Sequence, residues 1–204
     1  MNLSSCTSLP GTHLNGVWYR QIEPQFIATA LSSAHTKVTP SRFNAGRYFA
    51  SADQFEILYF ADDPLVASFE VGAVLGEFVH GGYVPHPRKT YLTLNVSIYL
   101  HHVVDLTQIV AQTAIGMDAQ ALTGDWRGYQ LRSYSTPVSA PIGFAPTQEL
   151  GLELFRTKTE GFLTVSSKMP TNQVLAVFPQ NLRRHSRLIF SDPSGKIVHE
   201  IKGR

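Results

Sequence analysis

The chain has 204 residues, 43% of them hydrophobic and 16% charged, with a net charge of only +2 and one cysteine, Cys6. This is a globular balance, able to bury a core and sized for one substantial domain. It argues against direct nucleic-acid binding, excludes an internal disulfide and favours a cytoplasmic setting.

The N-terminal segment has no basic stretch leading into an apolar one, so no signal peptide is expected. No apolar run reaches the ~18 residues of a membrane span. The longest, Leu92 to Val104, is broken by Asn95, His101 and His102.

Val17-Trp18-Tyr19-Arg20 reads as a short strand with aromatic anchors, stopped by Pro24. Residues 36–44 are rich in Thr, Ser, Pro and Asn and read as a loop. Phe55 to Phe60 is a mostly apolar run that fits a buried strand. Asp62-Asp63-Pro64 then starts a helix, with an acidic cap and Pro in the first turn, expected over Leu65 to Leu75. Leu65, Phe69 and Ala73 share a face at spacing four, which puts Glu70 at the edge of the buried stripe.

Tyr91 to Ile98 alternates apolar and polar residues and predicts a strand with one polar face. Asp105-Leu106-Thr107 predicts a short helix over Leu106 to Ile115, and Trp126-Arg127 opens another helical segment. A helix is expected over Thr147 to Phe155, then a strand over Gly161 to Ser166 and a stronger one over Val174 to Phe178. Leu188 to Phe190 and Ile197-Val198 flank a Pro- and Gly-containing turn and form a terminal hairpin. Strands and helices do not alternate regularly, which indicates an α+β fold, a single domain with a mixed, mostly antiparallel sheet.

Arg47, Tyr59 and Glu70 fall within 24 positions, on a loop, a strand and the following helix. A guanidinium grips phosphate in a forked geometry. A phenol ring lies against a flat ring, and a carboxylate stabilises positive charge developing on a sugar carbon. The three together suggest a nucleotide site with chemistry at a ribose. Each also has an ordinary reading: Arg47 paired to Asp53 or Glu56, Tyr59 as a core aromatic, Glu70 as a solvated helix residue, Ser166 as a strand-end serine.

Metal chemistry has little support. His101 and His102 are adjacent on a strand and point to opposite faces, while His80 and His86 flank a Gly- and Pro-rich loop. Arg183-Arg184-His185 with Arg187 reads as a solvated face or docking edge.

In order and spacing these pieces resemble the RES domain, the toxin of RES–Xre toxin–antitoxin modules. The resemblance runs from about Trp18 to Phe178, the core lying at about 17–180. It is carried by Trp18-Tyr19-Arg20, by the stretch Arg42-Phe43-Asn44-Ala45-Gly46-Arg47-Tyr48, by Leu58-Tyr59-Phe60-Ala61, by Ala67-Ser68-Phe69-Glu70 and by Ser166 ahead of Val174 to Phe178. The family's Gly-Gly-Arg-Trp-Asn wording is here Ala45-Gly46-Arg47-Tyr48-Phe49, and Arg42-Phe43-Asn44 stands five residues earlier, so Arg42 rivals Arg47 as the loop arginine. Ser167 likewise adjoins Ser166.

The resemblance implies a fold like the ADP-ribosyltransferase toxins and a toxin that degrades NAD⁺, its substrate, by splitting the nicotinamide–ribose bond without a metal. Arg47 would bind the pyrophosphate, with Arg20 or Arg42 in support. Tyr59 would pack beside the nicotinamide or its ribose, Glu70 would stabilise the sugar cation, and Ser166 would position substrate or nucleophile. Other outcomes are ADP-ribosyl transfer to a bacterial protein, phosphorolysis of NAD⁺ and an inactive interaction module. The implied partner is an Xre-type antitoxin, in a possible oligomer with it, and no membrane or direct nucleic-acid contact is expected.

Overall fold

The computed structural model describes residues 1–74, 89–127, 129 and 143–204, and the backbone of 77–79 and 82–84. His80, Gly81, His86 and the flanking Pro85 and Pro87 lie outside the described residues.

Two long antiparallel strands, β1 (Gly11–Ile22) and β5 (Leu92–Asp105), form the spine, paired from Gly11↔Val104 to Ile22↔Leu92. β1 is far longer than the four residues read from the sequence, because its outward positions are polar and carry little apolar signal. Strands β2 (Leu58–Ala61), β6 (Gly161–Val165) and β7 (Gln173–Val177) complete a ring. Its order is β1-β2-β7-β6-β5, and the β1–β5 pairing closes it into a barrel. β8 (Arg187–Ser191) and β9 (Val198–Lys202) extend the sheet from β5 as the expected hairpin. Among the described pairings only β5–β6 is parallel, so the sheet is mixed and mostly antiparallel, as the sequence indicated. A separate hairpin, β3 (Glu77–Val79) with β4 (Gly82–Val84), was not foreseen.

Sequence pattern follows the number of buried faces. On β5, Leu94, Val96, Ile98 and Leu100 point inward, whereas Thr93, Asn95 and Ser97 are exposed. On β7 the run Val174 to Phe178 is buried throughout, because Leu175 and Val177 face the barrel interior while Ala176 and Phe178 face the helices. Phe55, Phe155, Phe162 and Phe178 fill the outer layer, with ring centroids 4.7–5.8 Å apart.

β5 is shared between two neighbours along one edge. Val96–Tyr99 pairs with β8 and Val103–Asp105 with β6. Between these stretches the register with β1 slips: Thr12 faces Val103, but Leu14 faces Leu100. The extra residue is a bulge at His101-His102. Glu160, fully buried, holds it: Oε2 accepts from His101 N–H at 2.7 Å and His102 N–H at 2.6 Å. Oε1 accepts from Arg183 N–H at 2.7 Å, at the approach to β8. His101 packs instead on the rings of His13 and Tyr99. Among the described residues no group of three His, Cys, Asp or Glu side chains could hold a metal ion, and no helix is long and apolar enough to cross a membrane.

The helices are α1 (Pro64–Glu70), α2 (Ile109–Ala114), α3 (Ala119–Thr123) and α4 (Pro146–Arg156). α1 stops at Glu70, short of the expected Leu75. Gly72, at φ 73°, takes the left-handed turn after the helix. Its N–H bonds Phe69 O at 3.0 Å and Ala73 N–H bonds Ser68 O at 2.9 Å, closing a Schellman motif. α2 starts later than expected, because Asp105 ends β5 and its carboxylate takes Thr107 N–H at 2.9 Å. Arg127 and Tyr129 are helical, and the rest of that segment lies outside the described residues.

Glu160→Ala strands three inward N–H groups, and the expected loss is about 3 kcal/mol or more at neutral pH. Urea unfolding measures it; a midpoint within error of wild type would show that the bulge does not need the carboxylate.

Candidate active site

β1 meets β2 through one register pair, Tyr19↔Ala61. A cavity of about 360 Å³ opens at this seam, within the range of small-molecule sites. Tyr19, Arg20 and Gln21 line it from β1, Tyr59 to Ala61 from β2, and Ala67 and Glu70 from α1. The loop Ser41-Arg42-Phe43, Trp126-Arg127 and Ser167-Lys168 complete the wall.

Each element is fixed locally. Asp63 caps α1, accepting from Leu65 N–H at 2.7 Å, with Pro64 at the first helical position. Asp62 binds Gln173 N–H at 2.9 Å and Asn172 Nδ2 at 3.2 Å, which ties the β2–α1 turn to the start of β7. The 41–44 turn is organised by fully buried Asn44: its Nδ2 donates to Thr36 O at 2.9 Å and Phe55 O at 3.0 Å, and its Oδ1 accepts from Gly46 N–H at 2.8 Å. α4 then clamps this turn. Gln148 Nε2 donates to Ser41 O at 3.0 Å, and at Gly151 an added Cβ would lie 1.9 Å from Phe43 O.

The polar contents are strongly asymmetric. Among the described residues four cationic side chains line the cavity, Arg20, Arg42, Arg127 and Lys168, against one carboxylate, Glu70. Arg42 donates to Gly124 O and, at 3.4 Å, to Leu122 O, at the C-terminal end of α3. Burial lowers its pKa, with the charges of Glu70, Tyr59 and Asp125 opposing. Arg20 donates to Tyr59 O at 3.2 Å, and burial lowers its pKa to about 10. Its Nε is buried without a partner, and so are Gln21 Oε1 and Thr164 Oγ1 on the same wall. Buried polar atoms without protein partners gathered at one cavity are open to hydrogen bonds from water or a polar ligand.

Tyr59 Oη lies 2.9 Å from Ser41 Oγ and accepts from Phe43 N–H at 3.3 Å. Burial pushes this phenol up to about 12, so it is neutral across the physiological range. Glu70 is the last residue of α1 and is exposed. Ser166, fully buried, donates from Oγ to Glu70 Oε1 at 2.6 Å. Ser166 Oγ in turn accepts from Lys168 N–H at 3.2 Å and Met169 N–H at 3.0 Å.

The structure thus brings Arg20, Arg42, Tyr59 and Glu70 to one cavity, with Ser166 behind the acid. Ser167 is on the cavity wall, but Ser166 makes the bond to Glu70. Arg47 is outside this group. It is exposed on the short 3-10 turn Gly46–Tyr48, its guanidinium 5.3 Å from the Tyr48 ring. The acids once considered for it are engaged by other cations, Asp53 by Arg156 at 2.7 Å and Glu56 by Lys37 at 3.3 Å. Tyr19, Ser41, Arg127 and Lys168 were not singled out from sequence. Tyr19 adjoins Arg20 and Lys168 follows Ser166 by two, the only local signals available. Cys6 is buried, which pushes its thiol up to about 11 and suits a core residue.

A five-strand barrel with a cavity at its β1–β2 seam is thus the frame of the candidate site. The RES domain profile matches residues 17–197, and the chain belongs to the RES domain family. The match extends through β8, past Pro179, where the sequence alone showed no counterpart. Among solved structures, the chain is similar to one in the crystal structure of the M. tuberculosis MbcT–MbcA toxin–antitoxin complex, at 17% identity and a TM-score of 0.63 over 94% of this chain and 92% of that one. This likeness is one of fold. No curated protein matches the sequence.

Arg20 is a cation held in a site with too few acceptors, at a cost to stability. Arg20→Met is expected to raise Tm by about 2–4 °C, roughly 1 kcal/mol at this chain length, while weakening binding of anionic ligands. A lowered Tm by calorimetry would contradict this. Tyr59 gives the opposite pH signature. Its folded pKa lies above the unfolded value, so its contribution is complete below pH ~10 and is lost as pH rises through about 12. Tyr59→Phe should flatten the alkaline fall in stability, as followed by urea unfolding at stepped pH.

Proposed function

We propose that this RES domain is the toxin of a type II toxin–antitoxin pair and consumes NAD⁺ by cleaving the bond between nicotinamide and ribose. One observation carries the reading: among the described residues Glu70, oriented by Ser166, is the one carboxylate lining a cavity that four cationic side chains share. Pyrophosphate needs the cations and a developing sugar cation needs the acid. The fold shared with a chain of a toxin–antitoxin complex is the second support.

In this reading Arg42 and Arg20 hold the pyrophosphate, and Tyr59 lies beside the nicotinamide or its ribose. As the glycosidic C–N bond breaks, its electron pair passes into the pyridinium ring and nicotinamide leaves neutral. The ribose carbon becomes oxocarbenium-like, and Glu70 stabilises it, as carboxylates do in glycoside hydrolysis. Water adds to that carbon and loses one proton, giving ADP-ribose. The leaving group is already cationic, so the chemistry requires no metal. The scaffold is that of an ADP-ribosyltransferase-like toxin acting in the cytoplasm, and its partner is an Xre-type antitoxin whose anionic chain segment covers the cationic mouth.

Purified protein incubated with labelled NAD⁺ tests the reading. With phosphate in the buffer, free ADP-ribose is expected; label retained on protein would mean transfer instead, a phosphorylated ADP-ribose would mean phosphorolysis, and intact NAD⁺ would indicate an interaction module. Glu70→Gln should lower turnover about 10²–10³-fold. Arg42→Ala should lower it about 10²-fold, and Arg47→Ala less than about threefold, because Arg42 lines the cavity and Arg47 does not. Normal NAD⁺ loss by Glu70→Gln would falsify the assignment.

A further inference from the structure

Tyr59 Oη has two acceptor positions and one proton. Phe43 N–H fills one acceptor position at 3.3 Å. Ser41 Oγ lies 2.9 Å away and is the other hydrogen-bond neighbour of Oη among the described residues. Either hydroxyl could donate, and the two choices differ in what the cavity meets. If Tyr59 donates to Ser41, its proton is used within the wall. If Ser41 donates to Tyr59, both acceptor positions are filled and the phenolic proton points into the cavity.

The chemistry favours the second arrangement. A phenol is a stronger acid than an alkanol, so it is the better donor to an incoming oxygen. Two hydrogen bonds received at Oη polarise its O–H further. Burial pushes this phenol up to about 12 and so keeps its proton on Oη, available to donate, with the Arg42 charge opposing only in part. Ser41 itself has no freedom to drift. Its N–H donates to Asn44 O at 2.7 Å and its carbonyl accepts from Gln148 Nε2 at 3.0 Å. The hydroxyl is therefore presented to Tyr59 from a turn fixed on both sides of its own peptide.

We propose that Ser41 is a positioning residue: its hydroxyl donates to Tyr59 Oη, and with Phe43 N–H it turns the Tyr59 proton into the cavity as a donor to a substrate oxygen. The oxygen is a phosphoryl or hydroxyl acceptor, and the two are alike to a phenol donor. This deepens the functional reading above and rests on it for the identity of the substrate, though not for the direction of the hydrogen bond.

Two measurements test it. The first is a double-mutant cycle in NAD⁺ turnover with Ser41→Ala, Tyr59→Phe and the double variant. Ser41→Ala should lower kcat/KM about 3- to 10-fold, the effect of one neutral hydrogen bond, and Tyr59→Phe about 10- to 100-fold. In the Tyr59→Phe background the serine change should then alter turnover less than about twofold, because its only route is through the missing hydroxyl. Losses that multiply independently would overturn the proposal, since a merely structural serine would act in either background.

The second measurement needs no activity. The ultraviolet Raman tyrosine doublet of Tyr59, isolated as the difference from Tyr59→Phe, reports whether its oxygen accepts or donates. Ser41→Ala should shift it away from the acceptor limit. A shift toward that limit would show Tyr59 donating to Ser41 and refute the proposal. If wild type leaves NAD⁺ intact, the functional reading fails, and the Raman shift alone decides the role of Ser41.

Discussion

The buried carboxylate of Glu160 is the contact on which the barrel depends. A strand as long as β5 cannot keep one edge partner over its whole length and still bend into a closed ring. The bulge at His101-His102 supplies the bend and leaves two adjacent N–H groups facing inward. Glu160 gathers both, and its second oxygen takes Arg183 N–H. One side chain thus fixes where β6 leaves β5 and where β8 begins. An acid suits this place better than an amide, because all three partners are donors and ionised carboxylate accepts only.

The same economy appears around the cavity. The 41–44 turn is held from inside by Asn44 and from outside by α4, through Gln148 and the close approach at Gly151. The single Tyr19↔Ala61 pair between β1 and β2 leaves the seam where cations collect. Side-chain atoms turned to that cavity, Gln21 Oε1 and Thr164 Oγ1, are buried without protein partners. A weakly paired seam and a ligand-ready wall are thus two aspects of one geometry.

Much of this was legible in the residues, for identifiable reasons. β7 read correctly because a strand buried on both faces is apolar throughout, and β5 because one face meets water. Tyr59, Glu70 and Ser166 were singled out by local context. The choice between Arg42 and Arg47 was not legible, because both stand in similar loop sequence. The Asn44 hydrogen bonds, made to Thr36 and Phe55, decide which points inward. Glu160 carried no signal at all, since Thr-Glu-Gly looks like any loop acid until β5 is folded against it. The end of α1 was in principle readable: Gly72 is the kind of residue that follows a helix terminus, and it places Glu70 in the final turn.

That early stop has an electrostatic meaning. The terminal carbonyls of a helix concentrate partial negative charge, so an anion in its last turn is repelled, by about 0.3–1 kcal/mol in the general case. α1 is short and the effect correspondingly modest, yet its sign is fixed by the backbone. The acid on the cavity wall therefore stands beside the carbonyl end of α1, and the cations across the cavity and the Ser166 hydroxyl are what offset that end. A glycine two residues downstream, by ending the helix there, sets this arrangement before any ligand is present.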